Sequence, residues 1–454
     1  MASATENTNP AKPQAAGSER LMSLDAYRGF IMLAMASSAL GFTQVYAKLK
    51  KQAEDSSTPW TGWTRTFWEN LSYQFDHVTW TGCGFWDLIQ PSFMFMVGVA
   101  MPFSLARREQ QGQSPLHRFG HVLLRSFILV ALGVFLSSNW SPQTNFTFVN
   151  VLTQIGLGYP FLYLLSTQSS RIQWAALVII LVGYWGWFAT YTTPQPELEI
   201  VTRVLDEQKK KNAPELPKFT GFAAHWNMHT NAAAAADRTL LNWFPRKEPA
   251  IYGKSFWSNS GGYQTLNFIP SLATMLLGLL AGKMLRGNGT DREKLFWLLK
   301  AGGICLGSVF VLDTTLWPIA IPGCEWTICP SVKRIWTPTW AVFSSGWTFL
   351  FLAFFYWTID IRKWRWWAFP FVVVGMNSIA MYCMSQLMRS WIKSTLKIHL
   401  ATLDAIFGWE NGIVYHLFDA EHFIYAAIWE RVVVLFAMWL ICFWMYRQRI
   451  FLKI

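Results

Sequence analysis

Apolar residues gather in long blocks separated by short charged or aromatic clusters, with neither the two-residue alternation of a half-buried strand nor the narrow stripe of a soluble helix. Ten such blocks stand out, at about 24–46, 84–106, 117–137, 147–166, 172–191, 264–285, 294–313, 337–358, 367–389 and 423–446. Each approaches the roughly 20 residues an α-helix needs to cross a bilayer. The pattern therefore predicts an all-α, polytopic transmembrane helix bundle of about ten spans. Gly302, Gly303 and Gly307 interrupt the seventh block, and the stretch 390–420 reads as a re-entrant or interfacial helix.

Basic residues set the expected orientation. Arg107, Arg108 and Arg118 flank one connection, Arg171 lies in another, Lys283, Arg286, Arg292 and Lys294 mark a third, and Arg362, Lys363 and Arg365 a fourth. Arg447, Arg449 and Lys453 follow the last block. With ten spans all of these fall on the side of the N-terminus, which the positive-inside rule makes cytoplasmic. Both termini are then cytoplasmic, and long connections at about 47–83, 192–263, 314–336 and 390–422 face the other side. Residues 1–20, polar and rich in Ala, Ser and Pro, read as a disordered cytoplasmic tail, and 21–454 as a single transmembrane domain.

Composition removes the competing classes. Hydrophobic residues make up 52% of the 454 and charged ones 14%, with 27 Trp and 35 Phe. A soluble chain carries roughly a quarter charged residues, so the lipid bilayer is the expected surrounding. The net charge of +12 does not indicate nucleic acid, because the basic residues lie in short clusters between apolar blocks. Cys324 and Cys329 share one loop and form a short disulfide if that loop faces an oxidising compartment. No set of ligands completes a metal site, and His225 and His229, spaced i, i+4 without an intervening Glu, read as loop packing.

Few residues can carry chemistry. His77 lies among aromatics just before the second block, with Asp76 and Asp87 as candidate orienters of its ring. It reads either as a general base or as an interfacial histidine bonded to backbone. Asp87 also suits a helix N-terminus. Asp25 and Arg28 are an i, i+3 pair that satisfies itself, or else Arg28 meets an anionic ligand. Asp313 reads as a helix terminus or a site lining. Asn377, a polar residue within an apolar block, glues helices or lines a cavity. Arg107, Arg125, Lys283 and Arg286 stand near the expected cytoplasmic helix ends, where cations hold phosphates or simply set topology.

Several strings together resemble one family, the membrane acyltransferases that include the lysosomal heparan-α-glucosaminide N-acetyltransferase and its bacterial relatives. Ser23-Leu24-Asp25-Ala26-Tyr27-Arg28-Gly29 resembles S-[LV]-D-x-[FY]-R-G. His77-Val78-Thr79-Trp80-Thr81-Gly82 with Asp87-Leu88-Ile89-Gln90-Pro91-Ser92-Phe93 resembles the more specific H-x-x-W-x-G…D-L-x-x-P-x-F. Asn231-Ala232-Ala233 with Asp237-Arg238, the span ending at Gly282, Lys333-Arg334-Ile335-Trp336-Thr337, and Gly375-Met376-Asn377-Ser378 follow in the family's order. The chain departs from it at Ser37-Ser38-Ala39, where the family often places Asn, and at Leu152-Thr153-Gln154-Ile155, where it has L-Q-R-I. The connection before His77 is also longer.

The resemblance implies an enzyme of a bacterial inner membrane that takes acetyl-CoA from the cytoplasm and passes its acetyl group to a sugar amine or hydroxyl at the periplasmic face. His77 would act as base or transient acetyl carrier, with Asp87 and Asp76 beside it. Arg28, Arg125, Lys283, Asn377 and Trp336 become the candidate donor-binding residues, and Asn377 or a backbone N–H the oxyanion donor. Expected partners are acetyl-CoA, a carbohydrate acceptor, the bilayer and, as one option, a second copy of the chain; no metal and no nucleic acid is expected. The competing class is a transporter or flippase of a free or lipid-linked carbohydrate. It would carry mid-span acidic pairs or broken helices and an internal repeat, and no repeat is visible.

Overall fold

A computed structural model describes residues 21–56, 60–210, 219–246, 256–316, 327–410 and 412–452. All regular structure among them is helical, as the block pattern predicts. The helices are α1 (Met22–Ala36), α2 (Phe42–Asp55), α3 (Trp63–Gln74), α4 (Ile89–Gln110), α5 (Pro115–Ser137), α6 (Val151–Ser166), α7 (Ser170–Thr190), α8 (Gln195–Lys210) and α9 (Ala232–Leu240). They continue with α10 (Phe268–Arg286), α11 (Asp291–Leu312), α12 (Pro338–Phe355), α13 (Phe369–Met376), α14 (Ser378–Leu387), α15 (Arg389–Phe407), α16 (Ile413–Phe418) and α17 (Ala426–Arg447).

Among the described residues seven helices are long and apolar enough to cross a membrane, and up to nine if each of two bent pairs counts as one span. The difference from the expected ten has physical causes. The first block breaks after Ala36, where Ser38, Ala39 and Leu40 take φ of 47°, 57° and 48° before Gly41 at 75°. Left-handed backbone is costly for non-glycine residues, and it is held here by Arg389, which donates to the Ala36 carbonyl and the Ser38 hydroxyl. The chain then enters α2, so the connection expected at 47–83 is largely the pair α2 and α3. The ninth block bends by 72° between α13 and α14 at Asn377, whose φ and ψ are −128° and 39°. The fourth block forms only the 16-residue α6. The seventh, despite its glycines, is the unbroken α11: a Thr290–Glu293 capping box starts it, and Gly302 packs against Gly346 and Leu350 of α12.

Close backbone contact fixes the centre. A Cβ at Gly98 of α4 would fall on the Met275 carbonyl of α10, and Cβ atoms at Gly278 and Gly282 would fall on those of Phe95 and Val99. Gly29 of α1 and Gly375 of α13 face each other in the same way, against the Phe371 and Asp25 carbonyls. Lipid gives apolar side chains no reason to leave it, so helices associate through such small-residue contacts. α4, α10 and α12 form the buried centre, while α5, α7, α11 and α17 present exposed apolar faces such as Phe127, Ile179, Phe296 and Phe436. The 390–420 stretch contains α15, which exposes Trp391, Ile398, Ile406 and Phe407. Residues 1–20 and Cys324 lie outside the described residues; Cys329 is a buried free thiol.

Candidate active site

His77 and Lys333, 256 residues apart in sequence, meet at the first turn of the helix that becomes α4. Gly84 caps a 3-10 turn, Phe85–Leu88, whose third residue is Asp87. The Asp87 carboxylate folds back and accepts from the Gly84 N–H (3.1 Å) and the Val78 N–H (3.4 Å) through Oδ2. Its Oδ1 accepts from His77 Nδ1 at 2.8 Å and from Lys333 Nζ at 3.0 Å. Asp87 is 0% exposed and Lys333 3%, whereas the His77 side chain is 43% exposed.

The Asp87 carboxylate, an acceptor only, takes the hydrogen on Nδ1, and the other ring nitrogen, Nε2, has no hydrogen-bond partner among the described residues. The 3.1 Å from Lys333 Nζ to His77 Nδ1 is then a contact of two donors on one oxygen. The buried lysine balances the buried carboxylate, since an uncompensated charge there would be costly. An imidazole held by a buried carboxylate is an arrangement that can serve as a general base or as a nucleophile.

Lys333 reaches this place through a tight turn before α12. Thr81 and Val332 form an isolated antiparallel bridge, and Trp336 takes φ 45° with its N–H on the Lys333 carbonyl at 2.9 Å. Thr337 caps α12 and accepts from the Val332 N–H at 3.0 Å. Arg334 donates to the carbonyls of Gly261 (2.7 Å) and Val78 (3.1 Å), joining the His77 segment to the large connection. Tyr73 lies at the same edge, its phenol pushed above its usual range by burial and by the nearby Cys83 and Asp87.

At the other end of α4 lies a cavity of about 1350 Å³. Arg28, Arg107, Arg108, Arg125 and Arg286 line it against one carboxylate, Asp25, while Met32, Met35, Phe93, Met96 and Val97 make its apolar inner part. Arg125 donates to the Tyr159 hydroxyl at 2.8 Å and Arg28 stands 3.8 Å from Asp25. At 1.5 Å per residue, Arg107 is about 30 Å and Phe93 about 9 Å along the helix from Asp87. His77 does not line the cavity. The interval is packed by Tyr27, which donates to Ser92 Oγ at 3.0 Å, and by Phe85, which meets Phe30 edge-on and Phe75 at a tilt.

The residues singled out from the sequence divide accordingly. His77 and Asp87 come together, and Arg28 and Arg125 share the cavity. Asp76 does not orient the ring: its Oδ1 accepts from the backbone N–H of His77 at 2.7 Å, the one-residue spacing placing it beside the main chain. Lys283 does not line the cavity; it lines an adjoining groove of about 800 Å³ with Arg118 and Glu109, which shares Ala106 and Arg286 with the cavity. Trp336 is 1% exposed in the helical core, its indole N–H on Thr274 at 3.3 Å. Asn377 is buried and bonded to residues 450 and 452. Asp313 staples its loop, accepting from the N–H groups of Ser331 and Thr315. His225 bonds the Tyr191 carbonyl at 2.8 Å, a packing role, and among the described residues no group of three or more metal-ligating side chains occurs.

Lys333 is the site residue that the reading of single residues misses. Its sequence signals are its place at the head of the Lys333-Arg334-Ile335-Trp336-Thr337 string and a lysine–arginine pair on a connection expected to face away from the cytoplasm, where the positive-inside rule does not account for it.

No protein-family model matches the sequence. The chain is 23% identical over 359 residues to heparan-alpha-glucosaminide N-acetyltransferase of Mus musculus, covering 72% of this chain and 51% of that protein. It is 24% identical over 418 residues to the protein of the same name from Homo sapiens, covering 84% and 56%. The chain thus spans about half the length of the curated relatives it matches.

Proposed function

We propose that this multi-pass membrane chain, a member of the heparan-alpha-glucosaminide N-acetyltransferase family, is an acyltransferase that carries acetyl from acetyl-CoA to a sugar amine or hydroxyl on the opposite side of the membrane. The observation that carries this reading is the pairing, on one helix, of an arginine-lined cavity with an outward-facing imidazole held by Asp87 and Lys333.

The arginines suit the phosphates of a CoA donor, which several cations hold better than one. The apolar inner part suits its pantetheine arm. The thioester then passes the Phe30–Phe85 layer to reach His77. There Nε2 removes the acceptor's proton as its nitrogen or oxygen attacks the thioester carbonyl. The C–S bond breaks, and the imidazolium returns the proton to the departing thiolate. In the two-step variant Nε2 itself attacks, the C–S bond breaks and CoA leaves as thiolate; the acceptor then attacks the acetyl-imidazolium, the N–C bond breaks, and the acceptor's proton passes to the freed Nε2 and on to solvent. Asp87 holds the ring and balances the imidazolium in either course.

This reading brings with it ten spans over residues 21–454, both termini cytoplasmic, a bacterial inner membrane, and an acceptor at the periplasmic face. The basic clusters at 107–118, 283–294 and 362–365 support that orientation.

The two bent spans are the one feature that favours transport of a carbohydrate instead. Transport needs no cation-lined nucleotide cavity, and it leaves acetyl-CoA untouched. The test is release of CoA by purified protein given acetyl-CoA and a panel of amino sugars, with His77→Ala alongside. Release that requires both acceptor and His77 supports acyl transfer. Acceptor uptake into vesicles without CoA release would establish transport in its place.

A further inference from the structure

Both ends of the Asn377 carboxamide are bonded, and what they bind is the segment following the last helix. α17 ends at Arg447, and Arg449 takes a φ of 56°, with its N–H on the Tyr446 carbonyl at 3.1 Å, so that the chain doubles back. Asn377 Nδ2 then donates to the Ile450 carbonyl at 3.0 Å, and its Oδ1 accepts from the Leu452 N–H at 3.1 Å. One side chain offering a donor and an acceptor from two separate atoms to main-chain groups two residues apart imitates a strand partner. The segment so held is not bystander surface. Phe451 and Leu452 line the basic cavity, next to Gly375, Met376 and Ser378 from the broken α13–α14 pair.

We propose that residues 450–452 are a latched wall of the donor cavity, and that Asn377 is a positioning residue acting on donor binding through them. The bend at Asn377 and the latch are one device: the helix opens its backbone at the residue whose side chain captures the returning chain. The inference rests on the donor reading of the cavity. Aspartate at 377 keeps the acceptor and loses the donor, while alanine loses both. Phe451→Ala leaves the latch intact and removes its contribution to the wall.

Two measurements decide it. Steady-state kinetics with acetyl-CoA on Asn377→Ala, Asn377→Asp and Phe451→Ala should show KM for the donor raised about tenfold, equivalent to about 1.4 kcal/mol. The turnover number and the acceptor KM should stay within about threefold. Separately, Phe451→Cys in the full-length chain is labelled with a maleimide, the native cysteines being subtracted from the unsubstituted protein. Adding Asn377→Ala should speed labelling about tenfold, and saturating CoA should slow it. Labelling indifferent to Asn377→Ala overturns the latch whatever the cavity binds. Labelling that responds while the donor KM of all three variants moves less than twofold overturns the wall. If the unsubstituted protein neither turns over acetyl-CoA nor binds CoA, the donor half falls together with the proposed function, and labelling still decides the latch.

Discussion

Removing the charge from Asp87 should separate stability from catalysis in a way that tests the whole His77–Asp87–Lys333 arrangement. Asp87→Asn keeps the size of the side chain but leaves the Lys333 ammonium, 3% exposed, without its carboxylate. Breaking a buried pair from one side costs about 3–5 kcal/mol. The amide also offers a donor where the imidazole N–H needs an acceptor, so the ring turns or changes tautomer. Loss of a positioned base costs about 10²–10⁴ in rate. Lys333→Met removes the cation but leaves Asp87 bonded to His77 and to the N–H groups of Gly84 and Val78, so both its effects should be smaller. The double substitution leaves no unpaired charge and should recover stability, with a coupling in the range of about 0.5–3 kcal/mol, while turnover stays at the Asp87→Asn level. Thermal unfolding in lipid nanodiscs gives the first quantity and CoA release the second. Additive losses of stability in the double variant would refute the ion pair. An Asp87→Asn protein that folds and turns over within threefold of wild type would refute the orienting role.

Three further outcomes follow from the geometry. Arg125→Gln and Arg286→Gln should each raise the donor KM about tenfold, more so at low salt, with little change in turnover; an unchanged KM in both would deny the cavity its phosphates. Gly98→Leu, which drives a side chain into the Met275 carbonyl, should lose 3 kcal/mol or more of stability, about the upper end of overpacking, seen as a lowered melting temperature or loss of folded protein. Burial pushes Asp237 up to about 6, against the N–H of Thr265 and the amide of Asn259 that favour its charge. Its folded value exceeds its unfolded one, so its contribution is complete below pH 3.8 and is lost as pH rises through about 6. The melting temperature of wild type minus that of Asp237→Asn should therefore fall between pH 4 and 6.5; a flat difference would show that Asp237 titrates normally.

The spans were legible in the sequence because lipid demands long uniform apolar blocks, and α4, α5, α7, α10, α11, α12 and α17 fall where the blocks lie. Breaks were less so. Nothing in Ser37-Ser38-Ala39-Leu40 announces three left-handed residues, and Arg389, which donates to the Ala36 carbonyl and the Ser38 hydroxyl there, lies some 350 residues away in sequence. His77 and Asp87 were readable as a pair because ten residues of one chain segment join them. Lys333 was not, because its partnership depends on a tertiary bridge between Thr81 and Val332. Asn377 showed as a polar residue in an apolar block, yet the group it binds lies at the far end of the chain, beyond the reach of any local pattern.

The central claim is that donor and acceptor meet from opposite sides of one membrane. Purified protein in sealed vesicles, with deuterated acetyl-CoA outside and an amino sugar trapped inside, tests it directly, the product being read by mass spectrometry. The account predicts deuterated acetyl on the enclosed sugar for molecules whose basic end faces outward, abolished by His77→Ala. Product formed only when donor and sugar share a compartment would contradict it.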